Sequence, residues 1–203
     1  MERYEVRPGE GFGPFRLGMT EGEAEGLRKR LDLGEPPESF YLEYLDHKLA
    51  RIGLDAFSGE AAVYQDLDLF HTHAEEIIGA LAEQEAFLCD CADPELASTY
   101  RFPALGLELW REWAYHPKLL ENPRFMEELG HDPELLAEEQ RFWYFNQVWV
   151  QAADPRANFP LEKRPAPYTR ELHSAPPSPP PTPEQLAYLI RKYGLEPPNI
   201  GRE

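Results

Sequence analysis

Apolar residues recur along this chain with two different periods. Between Glu21 and Leu31, the residues Ala24, Leu27 and Leu31 fall three or four apart, the helical spacing. Thr20 stands just ahead of them with Glu23 three residues on, the pattern of a capping box in which side chain and backbone satisfy each other. A helix is therefore predicted from Glu21 to about Leu31, weakened by Gly22 and Gly26 and closed by Gly34-Glu35-Pro36-Pro37. The same signature returns at Thr72 and Glu75, followed by Ile77, Ile78 and Leu81, and predicts a second helix from about His73 to Gln84. Both helix starts follow a strand-like run, an arrangement consistent with a strand-helix duplication.

Elsewhere the period is two. Tyr4, Val6, Phe12, Phe15 and Leu17 read as a short strand and tight turn broken by Gly9, Gly11, Gly13 and Pro14. Phe40–Leu45, then Ile52 and Leu54, then Val63 and Tyr64 read as an antiparallel meander with turns at Asp46-His47-Lys48 and Ser58-Gly59-Glu60. Leu105, Leu107 and Leu109 place a strand over Tyr100–Trp113, interrupted at Pro103, with Trp110 expected in or near the core. Asp132-Pro133-Glu134 opens a short helix with proline at its first position, and Phe142–Val150 reads as an aromatic strand.

At Arg164 the pattern stops. Eight prolines between Pro165 and Pro183 rule out helix and sheet and predict an extended polyproline segment. Thr182-Pro183-Glu184-Gln185 then supplies a cap, a first-position proline and a Gln, and Gly194 follows the last helical residue. Leu186, Leu189, Ile190 and Tyr193 share one face of that tail helix and form a candidate partner-binding surface, since a helix of about 11 residues is marginal alone in water. That face either rests on its own domain or docks in a groove of another chain, with self-association one outcome. The predicted organisation is an α+β domain over residues 1–163, an antiparallel sheet with two or three helices packed on it. A proline-rich linker over 164–182 and a C-terminal helix and tail over 183–203 follow.

Composition narrows the function. The chain carries 37 Asp plus Glu against 20 Lys plus Arg, a formal charge of −17, which repels nucleic acid and anionic lipid. Such acidity serves solubility, or it presents an acidic face to a basic protein partner. No run approaches the roughly 18 apolar residues of a membrane span, and the N-terminus has no apolar signal region, so a cytoplasmic protein is expected. Cys89 and Cys91, the only cysteines, stand too close in sequence for an ordinary disulfide, which fits a reducing compartment.

Candidate chemistry is sparse. GxSxG, GxxxxGK[ST], HExxH and a helix-opening GxGxxG are all missing, which argues against an enzyme, and no cofactor is implied. His71, His73, Cys89 and Cys91 resemble a metal set, because alternate residues on extended chain face one way and nitrogen plus thiolate ligands suit zinc. The competing reading is two surface histidines at a helix start and two small apolar side chains near a strand. Trp110, Trp113, Trp143 and Trp149 serve either a sugar-stacking platform or, as large rings usually do, burial.

Two stretches carry a family resemblance: Gly11-Phe12-Gly13-Pro14-Phe15-Arg16-Leu17-Gly18-Met19-Thr20 and Leu105-Gly106-Leu107-Glu108-Leu109-Trp110-Arg111-Glu112. The chain resembles small uncharacterised bacterial proteins with a GxGPFxLGM[ST] turn and an LGxxxWRE strand, some of which look like the immunity proteins that neutralise polymorphic toxins. The resemblance implies a helix-on-sheet fold and a non-enzymatic protein-binding role, and carries over no site residues. The rival expectation is a metal-dependent enzyme or metal-binding protein centred on His71, His73, Cys89 and Cys91.

Overall fold

Strands whose alternate residues are apolar bury those residues by pairing row against row, and this chain does so twice. A computed structural model describes residues 2–34, 39–130, 132–154 and 161–166. The strands in chain order are β1 (Arg3–Arg7), β2 (Gly11–Phe12), β3 (Phe15–Arg16), β4 (Tyr41–Leu45), β5 (Lys48–Asp55), β6 (Ala61–Tyr64), β7 (Leu67–Asp68), β8 (Leu88–Cys89), β9 (Thr99–Phe102), β10 (Leu107–Trp110) and β11 (Gln147–Gln151). Among the described residues they form a five-stranded sheet ordered β3-β2-β1-β6-β7 and a six-stranded sheet ordered β4-β5-β11-β10-β9-β8. Pairing is antiparallel throughout except between β1 and β6.

Register in the larger sheet explains the core. Phe102, Leu107, Val150 and Ile52 are successive cross-strand partners, and Tyr100, Leu109, Val148 and Leu54 form the next inward row. All eight are buried. Each such side chain contributes roughly 1.5–3 kcal/mol relative to exposure, so these two rows are a principal source of stability. Helices α1 (Glu21–Arg30) and α2 (Ala74–Ala82) add Ala24, Ile77 and Leu81 to the same core, which also holds Val6, Phe12 and Phe15 of the smaller sheet.

Several expectations change here. The mixed α+β class holds, with two sheets in place of one. The meander does not close, since β6 leaves β5 and pairs in parallel with β1, through Arg3 with Ala61 and Glu5 with Val63. Alternation identifies a strand but not its neighbour, and β1 lies far off in sequence. The long strand over Tyr100–Trp113 is two strands, β9 and β10, joined by a turn at Pro103–Gly106. Trp110 is half-buried on the outer face, because it alternates with the inward Leu107 and Leu109. The aromatic strand begins only at Gln147, Arg141–Trp143 being a 3-10 turn.

The first capping box forms as expected, with Glu23 N–H donating to Thr20 Oγ1 at 3.3 Å and Thr20 N–H donating to Glu23 Oε2 at 2.7 Å. The second does not: α2 starts from His73 with no side-chain cap. The strands that precede the two helices, β3 before α1 and β7 before α2, sit at opposite edges of one sheet. Packing continues past Lys163, where Arg164 bridges to Cys91 in parallel and Ala166 is buried. The tail helix with Leu186, Leu189, Ile190 and Tyr193 lies outside the described residues, as does the linker after Ala166. Among the described residues no helix is long and apolar enough to cross a membrane.

Candidate functional site

The four candidate metal ligands are placed on different elements and engaged separately. His71 Nδ1 lies 3.0 Å from Asp68 Oδ2 at an exposed position. His73 stacks on Trp143 with ring centroids 3.8 Å apart, and its Nε2 shares a hydrogen bond of 2.9 Å with the Tyr144 hydroxyl. Cys89 and Cys91 are buried at the far edge of the larger sheet, where the Cys89 thiol donates to the Cys91 carbonyl at 3.5 Å. Burial pushes the Cys91 thiol up, which favours the protonated form that binds zinc poorly. Among the described residues no three His, Cys, Asp or Glu side chains are arranged to hold a metal. Purified protein is therefore expected to carry no stoichiometric zinc by elemental analysis. Zinc at one equivalent, lost when Cys89 and Cys91 become serine, would restore the metal reading.

Glu75, freed from a capping role, accepts the indole N–H of Trp143. Beside it lies a cavity of about 220 Å³ lined by Glu75, Ile78, Gly79, Pro94, Tyr100 and Arg111. Its polar floor is spent on structure. Arg111 is 1 % exposed and donates from Nε to the Ala97 carbonyl, from Nη1 to those of Tyr115 and Phe142, and from Nη2 to the Glu95 carbonyl and the Tyr100 hydroxyl. Those bonds use the full donor set of a guanidinium. Burial lowers the Arg111 pKa, and burial pushes the Tyr100 phenol up to about 12 while its O–H donates to the Pro94 carbonyl. Arg111 is thus a knot between loops, with no donor left for a ligand. The Glu76 carboxylate stands 3.4 Å from His73 Nδ1, and Trp143 and Tyr144 pack against the imidazole ring. The imidazole and phenol of this set are engaged in packing, while the Glu76 carboxylate is exposed.

The tryptophans do not form one platform. Trp149 lies on the outer face of the larger sheet over Gly53, with the Arg51 guanidinium 4.5 Å from its ring centroid and Tyr41 at 5.7 Å. Trp143 stacks on His73, and Trp113 is 42 % exposed elsewhere.

The more distinctive feature is the connection from β10 to β11. It leaves the sheet at Arg111, makes a 3-10 turn over Pro117–Glu121, and continues through α3 (Pro123–Phe125), a π-turn over Met126–Gly130 and α4 (Pro133–Gln140). Asn122 and Asp132 cap α3 and α4 by accepting the first backbone N–H groups. Buried Phe125, Tyr115 and Leu119 anchor it. From Glu121 to Glu139 it carries seven carboxylates and one cationic side chain, Arg124. Glu121, Glu127, Glu128, Asp132, Glu134 and Glu138 are exposed, while burial, reinforced by Glu138, pushes the Glu139 carboxyl up. Leu120 and Leu135 are exposed among them.

A second cavity, about 280 Å³, opens where this connection starts, between Cys91, Leu96, Trp113 and Pro165. The run of carboxylates from Glu121 to Glu139 is a signal present in the sequence that the net charge alone did not localise. Sequence alone could not show Arg111 or either cavity, whose walls come from segments distant in the chain. Comparison of the chain with protein-family models, with curated proteins and with solved structures found no match.

Proposed function

We propose that this chain is a non-enzymatic acidic module that binds a basic surface of a protein partner, and that it acts as an immunity protein against a basic toxin. The supporting observation is the connection from β10 to β11, a largely helical stretch that carries six exposed carboxylates together with exposed Leu120 and Leu135. With a chain charge of −17, such a face attracts a basic partner over roughly a Debye length, about 8 Å at physiological ionic strength. Steering of this kind acts mainly on the association rate, and buried apolar anchors supply the affinity.

Cross-linking and mass spectrometry in the native cells identify the partner, and stopped-flow mixing measures its association. The partner is expected to be basic. Association is expected to slow steeply with added salt while dissociation changes little. Replacing Glu127, Glu128, Glu134 and Glu138 together by glutamine is expected to slow association by at least about tenfold. Salt-independent association would remove this reading. A toxin-like reading frame beside the gene separates an immunity protein from an acidic accessory subunit.

A further inference from the structure

We infer that the 280 Å³ cavity is the anchor site for one aromatic side chain, tryptophan or phenylalanine, carried on a basic segment of a protein partner. The inference rests on the acidic-binding reading above and supplies the apolar anchor which that reading requires. Its walls are mostly apolar, with Ser98 and Arg164 the polar lining residues. Cys91 is 1 % exposed and Leu96 and Ala114 are 4 % exposed, so the floor is part of the core, while the half-exposed Trp113 indole forms the lip. The volume falls just short of the roughly 300–1,000 Å³ of ligand pockets, which suits a single large side chain better than a cofactor.

The cavity is also pre-formed. Residues 161–166 close one side as a strap, with Arg164 N–H donating to the Asp90 carbonyl at 2.7 Å and Ala92 N–H donating to the Arg164 carbonyl at 3.0 Å. Asp90 is itself fixed, because its Oδ1 accepts the N–H groups of Ser98 and Thr99 at 2.9 and 3.1 Å. The Arg164 guanidinium in the wall is neutralised by Asp90 at 2.8 Å. A preorganised pocket lowers the entropic cost of seating a side chain.

Charge selects what surrounds that side chain. Lys118 is shared at 2.6 and 2.5 Å between Asp93 and Glu95, which lie in the segment joining the lining residues Cys91 and Leu96, so carboxylates outnumber cations along that segment, and exposed Glu112 precedes Trp113. The acidic layer follows directly after Glu121. Exposed Trp113, Leu120 and Leu135 all lie on this one connection. An aromatic residue flanked by lysine or arginine meets both features at once.

The test uses full-length protein and short peptides as probes: lysine-rich with a central tryptophan, the same with alanine, and glutamate-rich with tryptophan. Calorimetry is expected to show the lysine-tryptophan peptide binding at least about tenfold tighter than either control. Trp113→Ala is expected to abolish that advantage while the protein stays folded with a modestly lowered melting temperature, since the indole is 42 % exposed. Equal binding of the lysine-alanine peptide would overturn the cavity assignment and leave the acidic reading standing. Equal binding of the glutamate-tryptophan peptide would overturn both. If full-length protein carrying Leu189→Ala and Ile190→Ala binds the peptide markedly tighter, the cavity belongs to the chain's own tail and the inference fails.

Discussion

Arg111→Ala is expected to cost about 4 kcal/mol of stability, which for a chain of this size lowers the melting temperature by about 8–16 °C. The reason is what the guanidinium leaves behind. The carbonyls of Glu95, Ala97, Tyr115 and Phe142 converge on it from three separate segments, at 2.8 to 3.2 Å. Removing it strands the carbonyls of Glu95, Ala97 and Tyr115, while that of Phe142 keeps the Tyr115 N–H at 3.2 Å, and each unsatisfied buried group costs roughly 1–3 kcal/mol. Replacing a buried ion by an apolar residue is harmless only when its partners are replaced as well, and backbone carbonyls cannot be. Arg111→Met is therefore expected to lose nearly as much as alanine. Arg111→Lys, one point charge in place of a planar fork, is expected to recover about half. Urea unfolding of the three variants checks this ranking, and a loss below about 1 kcal/mol for alanine would show that the carbonyls find other donors. Because Tyr115 and Phe142 lie near the two ends of the acidic connection, the variant is also expected to loosen that layer first.

How much of this was legible beforehand depends on the range of each interaction. The box at Thr20 and Glu23 closes within one turn, so the sequence pattern suffices. The matching pattern at Thr72 and Glu75 fails because the helix starts from His73 and the Thr72 N–H donates to the Asp68 carbonyl at 3.0 Å, while Glu75 accepts from Trp143, far along the chain. Period two announces β6 but not that β1 will be its partner in place of β5. FWYFNQVWV looks like one strand, yet the Arg111 knot and the stack on His73 draw Phe142 and Trp143 into a turn. The carboxylates of residues 121–139 stand in the sequence, and six of the seven are exposed, as the cost of burying charge requires. Arg111 carried only a faint signal, a cation straight after an alternating apolar strand, where burial needs many acceptors that no local pattern displays.

The motif glycine Gly106 supports a prediction of similar size with an internal control. Its φ is 67°, in the left-handed region, and an added Cβ would stand 2.1 Å from the Gln151 carbonyl oxygen, with Ala153 N at 2.9 Å and Ala152 C at 3.0 Å. All three are backbone atoms of the segment that ends β11. They cannot step aside cheaply, because Gln151 N–H donates to the Gly106 carbonyl at 2.8 Å and Gly106 N–H donates to that of Phe102 at 2.9 Å. Shifting either strand would disturb the register of Leu107 with Phe102 and Val150, the row that forms the core. Gly18 separates the two costs, since its φ is 83° and nothing lies within 4 Å of its Cβ position. Gly18→Ala is expected to lose only the left-handed penalty, about 1–2 kcal/mol. Gly106→Ala adds a clash with fixed backbone and is expected to lose at least about 3 kcal/mol, or to prevent folding. Denaturant midpoints of the two variants measured side by side decide it. Equal losses would mean that the turn after Pro103 gives way without strain and that the close approach of Gly106 to Gln151 does not set the register of β10 against β11.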